Sequence, residues 1–577
     1  MAPEFDSVVS AVERLTEQVR ELERRVAALE GHPEKLIPAS ESPDFALQRP
    51  RPPATWRGFP PAEVPGGAVP VLGKAVLGIA GAYLLRAIAE SGAIPKLPVL
   101  IVAIVYASLW MVWAVRTHAA NRFSGIAYGI TSALILSPLL WESTIRFQVL
   151  PPAFTAVVLV AFVVLALALT WRRNLQVIPW IATLASVITA VALIIATREL
   201  VPLTAALLAV ALATEVAACL EHRLSLRALP AVAADFAIWL LVDVMTSPDG
   251  VPEGYPHIAP AAVILLCLTL FAIYGGSIAI RTFAQRRRIT VFEIVQGVVA
   301  FLLAAFGVMR ASHTSAAPAL GVFALLLAAV CYWGALSRFA DETYARNRRV
   351  CATYAPTLFL VGGFLLFSTN VRVLFFCLAA VAASLAHART AKLSLGTHAS
   401  FYLAAATAVS SLPHWALSAL TGTVPSAPDW AVWVVAVSAA LCYALGSQRS
   451  QAALAQPKPR LLWVIPAGVT ALAAAALAVV AIVWIAAARL ESSPSRLSVV
   501  RTIVSCVLAL SLGLLGSRWK HVELGWVAYA AVSFGTLKLL FEDLRFGNAA
   551  SLVVSLLFYG LVLILLPRLT RRSPAET

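Results

Sequence analysis

Ionisable side chains are scarce in the apolar stretches of this chain, and those present are the first candidates for chemistry. A charge held inside a lipid-spanning helix costs about 3 kcal/mol or more unless it is paired or hydrated. Arg86 and Glu90 stand one turn apart in Leu84-Leu85-Arg86-Ala87-Ile88-Ala89-Glu90, and Glu142 and Arg146 repeat that spacing after Trp141. Each couple can form an ion pair along its helix, and an interfacial salt bridge that ends a helix explains either one as well as a site does. Asp235 and Asp243 lie two turns apart on roughly one face, with Trp239 between them. Glu215 in the sixth apolar segment, and Glu293 with Gln296 in the ninth, fall nearer the cytoplasmic ends. Acids spread over adjacent helices can line a proton or cation path; separate structural pairs are the plainer alternative.

The densest group is Lys538, Glu542, Asp543 and Arg545. Its spacing allows a self-neutralising ladder or, alternatively, a headgroup or anion site. His398 and Tyr402 share a helix face, and His387 ends the preceding apolar segment. A lone histidine in such a place is more often hydrogen-bonded structure than a ligand. Helix breaks of the kind that line transporter sites are signalled weakly by Pro260 with Gly275-Gly276 and by Pro356 with Gly362-Gly363.

Soluble catalytic machinery is not written here. No P-loop, HExxH, convincing GxSxG or strand-borne GxGxxG occurs. Cys219, Cys267, Cys331, Cys351, Cys377, Cys442 and Cys506 all lie in apolar segments without a CxxC pair, which argues for inert core thiols. The sequence calls for no metal and no cofactor. The first thirty residues are charged and lack an apolar signal-peptide core.

The elements that must position these residues are membrane helices. Of 577 residues, 60% are hydrophobic and 13% charged, and the mean hydropathy is +0.84. A bilayer core needs roughly 20 apolar residues per helix. By that measure about eighteen spans are expected, at 71–92, 97–116, 123–141, 152–171, 175–196, 201–220, 228–246, 258–281 and 290–310, then 316–337, 350–368, 371–387, 394–412, 429–446, 461–487, 497–516, 521–541 and 549–567. The fold class is therefore all-α: a polytopic transmembrane helical bundle, with an N-terminal cytoplasmic coiled-coil helix and a cytoplasmic tail at 568–577.

Charge placement gives the orientation. With the N-terminus in the cytoplasm, alternate loops gather Arg116/Arg122, Arg172/Arg173, Arg223/Arg227, Arg281/Arg286/Arg287/Arg288, Arg338/Arg346/Arg348/Arg349, Arg389/Lys392, Arg449/Lys458/Arg460 and Arg518/Lys520. The loops between them hold few basic residues, and 247–257 and 413–428 hold none. This is the positive-inside pattern, and it places both termini in the cytoplasm of an inner (plasma) membrane. The net charge of +15 thus has an assembly explanation and requires no nucleic acid.

Ahead of the spans, residues 1–31 carry Val12, Val19 and Val26 at heptad position a and Leu15, Leu22 and Leu29 at d. That choice favours a parallel two-stranded coil, so residues 5–29 are a dimerisation candidate; an amphipathic helix docked on its own protein is the alternative. Residues 32–70 are a Pro-rich linker, an extended spacer rather than regular helix.

Coil, linker and a long train of spans together resemble a bacterial family of membrane proteins known only as domain of unknown function 2339. The similar stretches are the heptad Leu15–Leu29, the first hairpin Gly73–Pro95, and Leu537–Leu544 followed by Ser555 and Tyr559-Gly560. The Gly-Gly-rich segment that such proteins carry after the fifth span is not evident around Ser186–Arg198. The resemblance implies topology and no assigned activity.

Many spans, scattered intramembrane acids and no soluble domain favour transport or flipping of an envelope-related solute. An integral enzyme acting on lipid-linked substrates through Glu90, Glu142, Asp243 or Asp543 is a second reading. A scaffold that works through its coil is a third.

Overall fold

The computed structural model describes residues 68–91, 94–118, 121–171, 175–220, 227–422, 427–450, 458–486, 494–543 and 549–570. The expected coil and nearly all of the linker lie outside these residues. Among the described residues there are nineteen α-helices and no strand, and 17 helices are long and apolar enough to cross a membrane. The chain is a polytopic, all-helical membrane protein.

The helices fall into two lobes. The first contains α1 (Ala68–Ser91), α2 (Lys96–His118), α3 (Arg122–Ile145), α4 (Pro152–Thr170), α5 (Val177–Thr197), α6 (Leu200–Cys219), α7 (Ala228–Met245), α8 (Pro260–Ala279) and α9 (Val291–Ala311). The second contains α10 (Ala317–Trp333), α11 (Ala345–Leu366), α12 (Thr369–Thr390), α13 (Leu393–Val409), α14 (Leu412–Thr421), α15 (Trp430–Ser450), α16 (Val464–Ile485), α17 (Pro494–Arg518), α18 (Val522–Lys538) and α19 (Ala549–Thr570). Helix starts carry expected signals. Proline opens α4 and α8, Asn121 caps α3 by accepting from Ser124 N, and Thr290 with Glu293 forms a capping box on α9. The first helix includes Pro70, counted above as linker, in its opening turn, where a missing N–H is harmless. The last runs on to Thr570, three residues into the expected tail.

Close main-chain packing stays within each lobe. The seam between them is made by side chains. Phe271 meets Phe323 edge-on at 5.5 Å, and Phe283 stacks on Trp333 at 5.9 Å. Arg338 donates to Phe283 O at 2.8 Å, and Tyr354 donates to Ile294 O at 2.8 Å. Asn347 accepts from Ile289 N and donates to Arg287 O.

The lobes repeat one packing plan. In the first, α2 pairs with α3, α4 with α5 and α6, α6 with α7, and α9 with α8 and α7. In the second, α10 pairs with α11, α12 with α13 and α15, α15 with α16, and α18 with α17 and α16. The sequence carries the same register. Asn121, Arg122, Tyr128, Thr131, Leu134, Leu139, Leu140 and Arg146 recur as Asn347, Arg348, Tyr354, Thr357, Leu360, Leu365, Leu366 and Arg372, all at a spacing of 226 residues (347 − 121). Residues 96–311 and 317–538 thus repeat one packing plan, with α1 and α19 added at its ends.

The lobes differ most where α5 gives way to α13 and α14. The span expected at 394–412 is a helix of 17 residues that stops at Val409 and resumes at Leu412 after extended Ser410. Pro413 explains the break, because it supplies no N–H to Val409 O and its ring would clash with that carbonyl in a continuous helix. In α10 and α11, Gly321 and Gly362 let two backbones touch. A Cβ on Gly362 would lie 2.9 Å from Gly321 O.

Candidate functional site

Four helix ends of the first lobe converge on one ionic centre. Arg227, just before α7, grips Glu215 of α6 with two hydrogen bonds, Nε to Oε1 at 2.9 Å and Nη2 to Oε2 at 2.7 Å. Its Nη1 reaches Glu293 of α9 at 3.2 Å. Glu293 also takes Arg281 Nη1 at 2.6 Å and, as a helix-capping residue, the N–H of Thr290. Ser277 of α8 donates to Glu215, and the Arg227 guanidinium lies 5.1 Å from the Phe292 ring centroid. Both acids are 2% exposed, so the low dielectric makes each contact strong and each missing partner costly. Two arginines meet two carboxylates, and the centre is neutral. Burial works against the Arg227 charge, but the hydrogen bond and charge of Glu215, with Glu293 behind them, raise its pKa above the ordinary guanidinium value. Arg281 occupies a π-helical turn, Ile280–Ala284, that extends α8 and turns the side chain inward.

About one helical turn deeper lies a second polar layer. Gln296, three residues beyond Glu293 on α9, donates its amide to both oxygens of Asp235 at 3.0 and 2.9 Å. Tyr274, three residues before Ser277 on α8, is 2% exposed, and its hydroxyl has no hydrogen-bond partner among the described residues. It lies within electrostatic reach of both Glu215 and Asp235. Asp235 follows Arg227 by eight residues (235 − 227), which is about 12 Å of helix rise and close to the middle of a 30 Å hydrocarbon layer. The polar column therefore runs from one face of the bundle to near mid-depth. Beyond it the core is apolar, with Leu241, Cys267 and Leu270 fully buried.

The second lobe has its own centre. Arg501 of α17 is 2% exposed and closes the end of α14, donating to the carbonyls of Ser418, Ala419 and Gly422. It pairs with Glu542 at 2.6 Å. Lys538 donates to Ser498 O and Thr502 Oγ1, both at 2.7 Å, and stands 3.9 Å from Glu542. Glu542 lies in a π-helical turn, Leu539–Asp543, that prolongs α18. The side chain of Asp543, and Arg545 as a whole, fall outside the described residues.

The remaining expected residues separate. Arg86 and Glu90 form their pair along the helix at 3.2 Å, but Glu142 and Arg146 exchange partners across helices. Glu142 binds Arg86 at 2.8 Å and Arg146 binds Glu90 at 2.9 Å, which ties α3 to α1. Asp235 and Asp243 do not act together, since Asp243 is exposed and joins none of these groups. His398 and Tyr402 both meet the Tyr332 hydroxyl, which joins α10 to α13. His387 Nδ1 meets Lys392 O at 2.9 Å and its ring packs on Trp463. Among the described residues no His, Cys, Asp and Glu cluster fits a metal ion.

Sequence reasoning used Arg227 and Arg281 only for orientation and passed over Arg501, although it falls inside an expected span. It also missed His521 and Glu523, buried beside Tyr443 in the second lobe. The available signal was simple: each acid buried near a span end implies a cation, and the nearest basic residues at that face supply it. No family model matches this chain, and neither a curated protein nor a solved structure matches it.

Proposed function

We propose that this protein moves an envelope-related solute, by transport or flipping, and that Asp235 is the protonatable group that couples the movement. The observation that carries the reading is the polar column from Arg227 to Asp235. It brings a carboxylate near mid-depth, where its partner is a neutral amide rather than a cation. Such a group can load and release a proton without dismantling an ion pair. Two lobes that repeat one packing plan, joined through side chains, are also the architecture in which one lobe can move against the other around a site.

The test is lipid flipping in proteoliposomes that carry a fluorescent phosphatidylglycerol, read by the fraction reached by a membrane-impermeant quencher under an imposed pH gradient. The protein is expected to raise the flipping rate, and Asp235→Asn to abolish the increase at unchanged expression. A wild-type rate equal to that of empty vesicles removes lipid flipping. A wild-type rate kept by Asp235→Asn removes that residue from the mechanism.

The same reading takes α13 as an eighteenth crossing. What supports it is that a Cβ on Gly396, near its start, would meet Trp463 at the head of α16 at 3.5 Å, whereas α14, beyond its end, is held by Arg501 in the first third of α17. Eighteen crossings place the two termini together, on the cytoplasmic side of a bacterial inner membrane by the charge pattern. Tags at Met1 and Thr577 should then be protected or cleaved together. The heptads of residues 5–29 would pair two copies, and membership in the family of domain of unknown function 2339 rests on the stretches quoted above.

A further inference from the structure

We propose that the cleft between α1, α2 and α3 binds the headgroup phosphate of a monoanionic phospholipid. The cleft is shallow and open on one side. Its wall is apolar, formed by Leu85, Ala89, Val99, Leu100, Ala103 and Leu139, and its rim holds Arg86, Lys96 and Glu142. The charges around that rim do not cancel. Arg86, Arg146 and Lys96 face Glu90 and Glu142, which leaves one positive charge (3 − 2). Both carboxylates are already engaged by the two arginines at 2.8–3.2 Å. Lys96 has no ion-pair partner among the described residues, and its ammonium stands 5.2 Å from the Phe147 ring centroid, which holds it at the mouth of the cleft.

A surplus of one charge matches a phosphodiester, which carries one negative charge, better than a dianionic phosphate held beside two carboxylates. The wall supplies the second half of the argument. Leu77 and Leu84 on α1 are 73% and 63% exposed, so this edge of the bundle faces acyl chains, and a bound lipid can lay its tail along these leucines. Lys96 contributes a mobile point charge, a common means of phosphate recognition. This inference does not depend on the flux reading, because it concerns binding alone.

The full-length protein, purified from bilayers of equal phosphatidylglycerol and phosphatidylcholine, tests it by native mass spectrometry of the lipids it retains. Wild type should retain phosphatidylglycerol preferentially. Lys96→Gln should weaken that preference about fivefold, the effect of one lysine near a phosphate. Lys96→Arg should restore it, and Lys392→Gln, a distant exposed lysine, should leave it unchanged. Equal retention of both lipids by wild type overturns the site. A preference that survives in Lys96→Gln overturns it as well. Displacement of the lipid by millimolar inorganic phosphate would show that the cleft takes free phosphate, which overturns the lipid assignment.

Discussion

Arg227 and Glu215 form a two-toothed ion pair at 2.9 and 2.7 Å that ties the end of α6 to the start of α7. The pair does more than staple two neighbours. Through its third nitrogen Arg227 reaches Glu293 and, beyond it, Arg281, so one guanidinium fixes the ends of four helices. Asp235 sits on the helix that Arg227 begins, and Gln296 on the helix that Glu293 caps. The depth and approach of the coupling candidate are therefore set by the ionic centre above it.

Removing Arg227 should be among the most damaging single changes. Arg227→Met leaves two buried carboxylates short of a cation, and breaking such a pair from one side costs about 3–5 kcal/mol. Arg227→Lys keeps the charge but loses the fork, for about 1.5–3 kcal/mol. The order Met worse than Lys, and Lys worse than wild type, can be read by denaturation in mixed micelles, with a thiol-reactive fluorophore reporting exposure of the buried Cys267. Equal losses for the two variants would mean that charge alone holds the centre.

Arg501 should behave differently, because three of its four hydrogen-bond partners are backbone carbonyls. Three carbonyls at the end of α14 depend on it, as does Glu542. Arg501→Gln should release α14 before the lobe unfolds, with faster hydrogen exchange confined first to residues 412–422. Hydrogen bonds to a charged group contribute about 1.5–3 kcal/mol each, enough to change local opening by tenfold or more. Exchange that speeds equally throughout the second lobe would refute a local role.

The helices were legible in the sequence because lipid forces every backbone group into internal hydrogen bonds, so length and hydropathy alone mark them. Partners were not legible. Glu142 pairs with Arg86 rather than with Arg146 four residues on, because two neighbouring helices brought four charges together and the cross pairs won. Arg501 and Ala419 are 82 residues apart, and nothing in hydropathy joins them. The repeated plan was written in the chain, at Asn121 and Asn347 and the seven pairs behind them, but apolar composition hides such a repeat until packing supplies the register.

The seam offers a measurement of how the lobes are joined. Asn347 spans it with both ends of its amide, to Ile289 N at 2.9 Å and Arg287 O at 2.7 Å, and is 1% exposed. Asn347→Leu strands a buried N–H and a carbonyl together, at about 1–3 kcal/mol for each group. Limited proteolysis should then cut within 285–290 sooner than in wild type. An unchanged cleavage pattern would mean that the aromatic contacts of Phe283 hold the seam unaided.

Gly446 and Gly468 provide a paired test of packing in the second lobe. A Cβ at Gly446 would fall 2.1 Å from the ring of Trp463, which is 1% exposed and packed against His387. The ring cannot retreat, so Gly446→Ala should cost about 1–3 kcal/mol by overpacking. At Gly468, inside α16, nothing lies within 4 Å of the added carbon, and the same substitution should be neutral or stabilise by about 0.5–1 kcal/mol through backbone entropy. Combining Gly446→Ala with Trp463→Phe removes the clashing edge of the indole and should recover part of the loss. If the double variant is less stable than either single one, the contact between α15 and Trp463 is not what limits packing there.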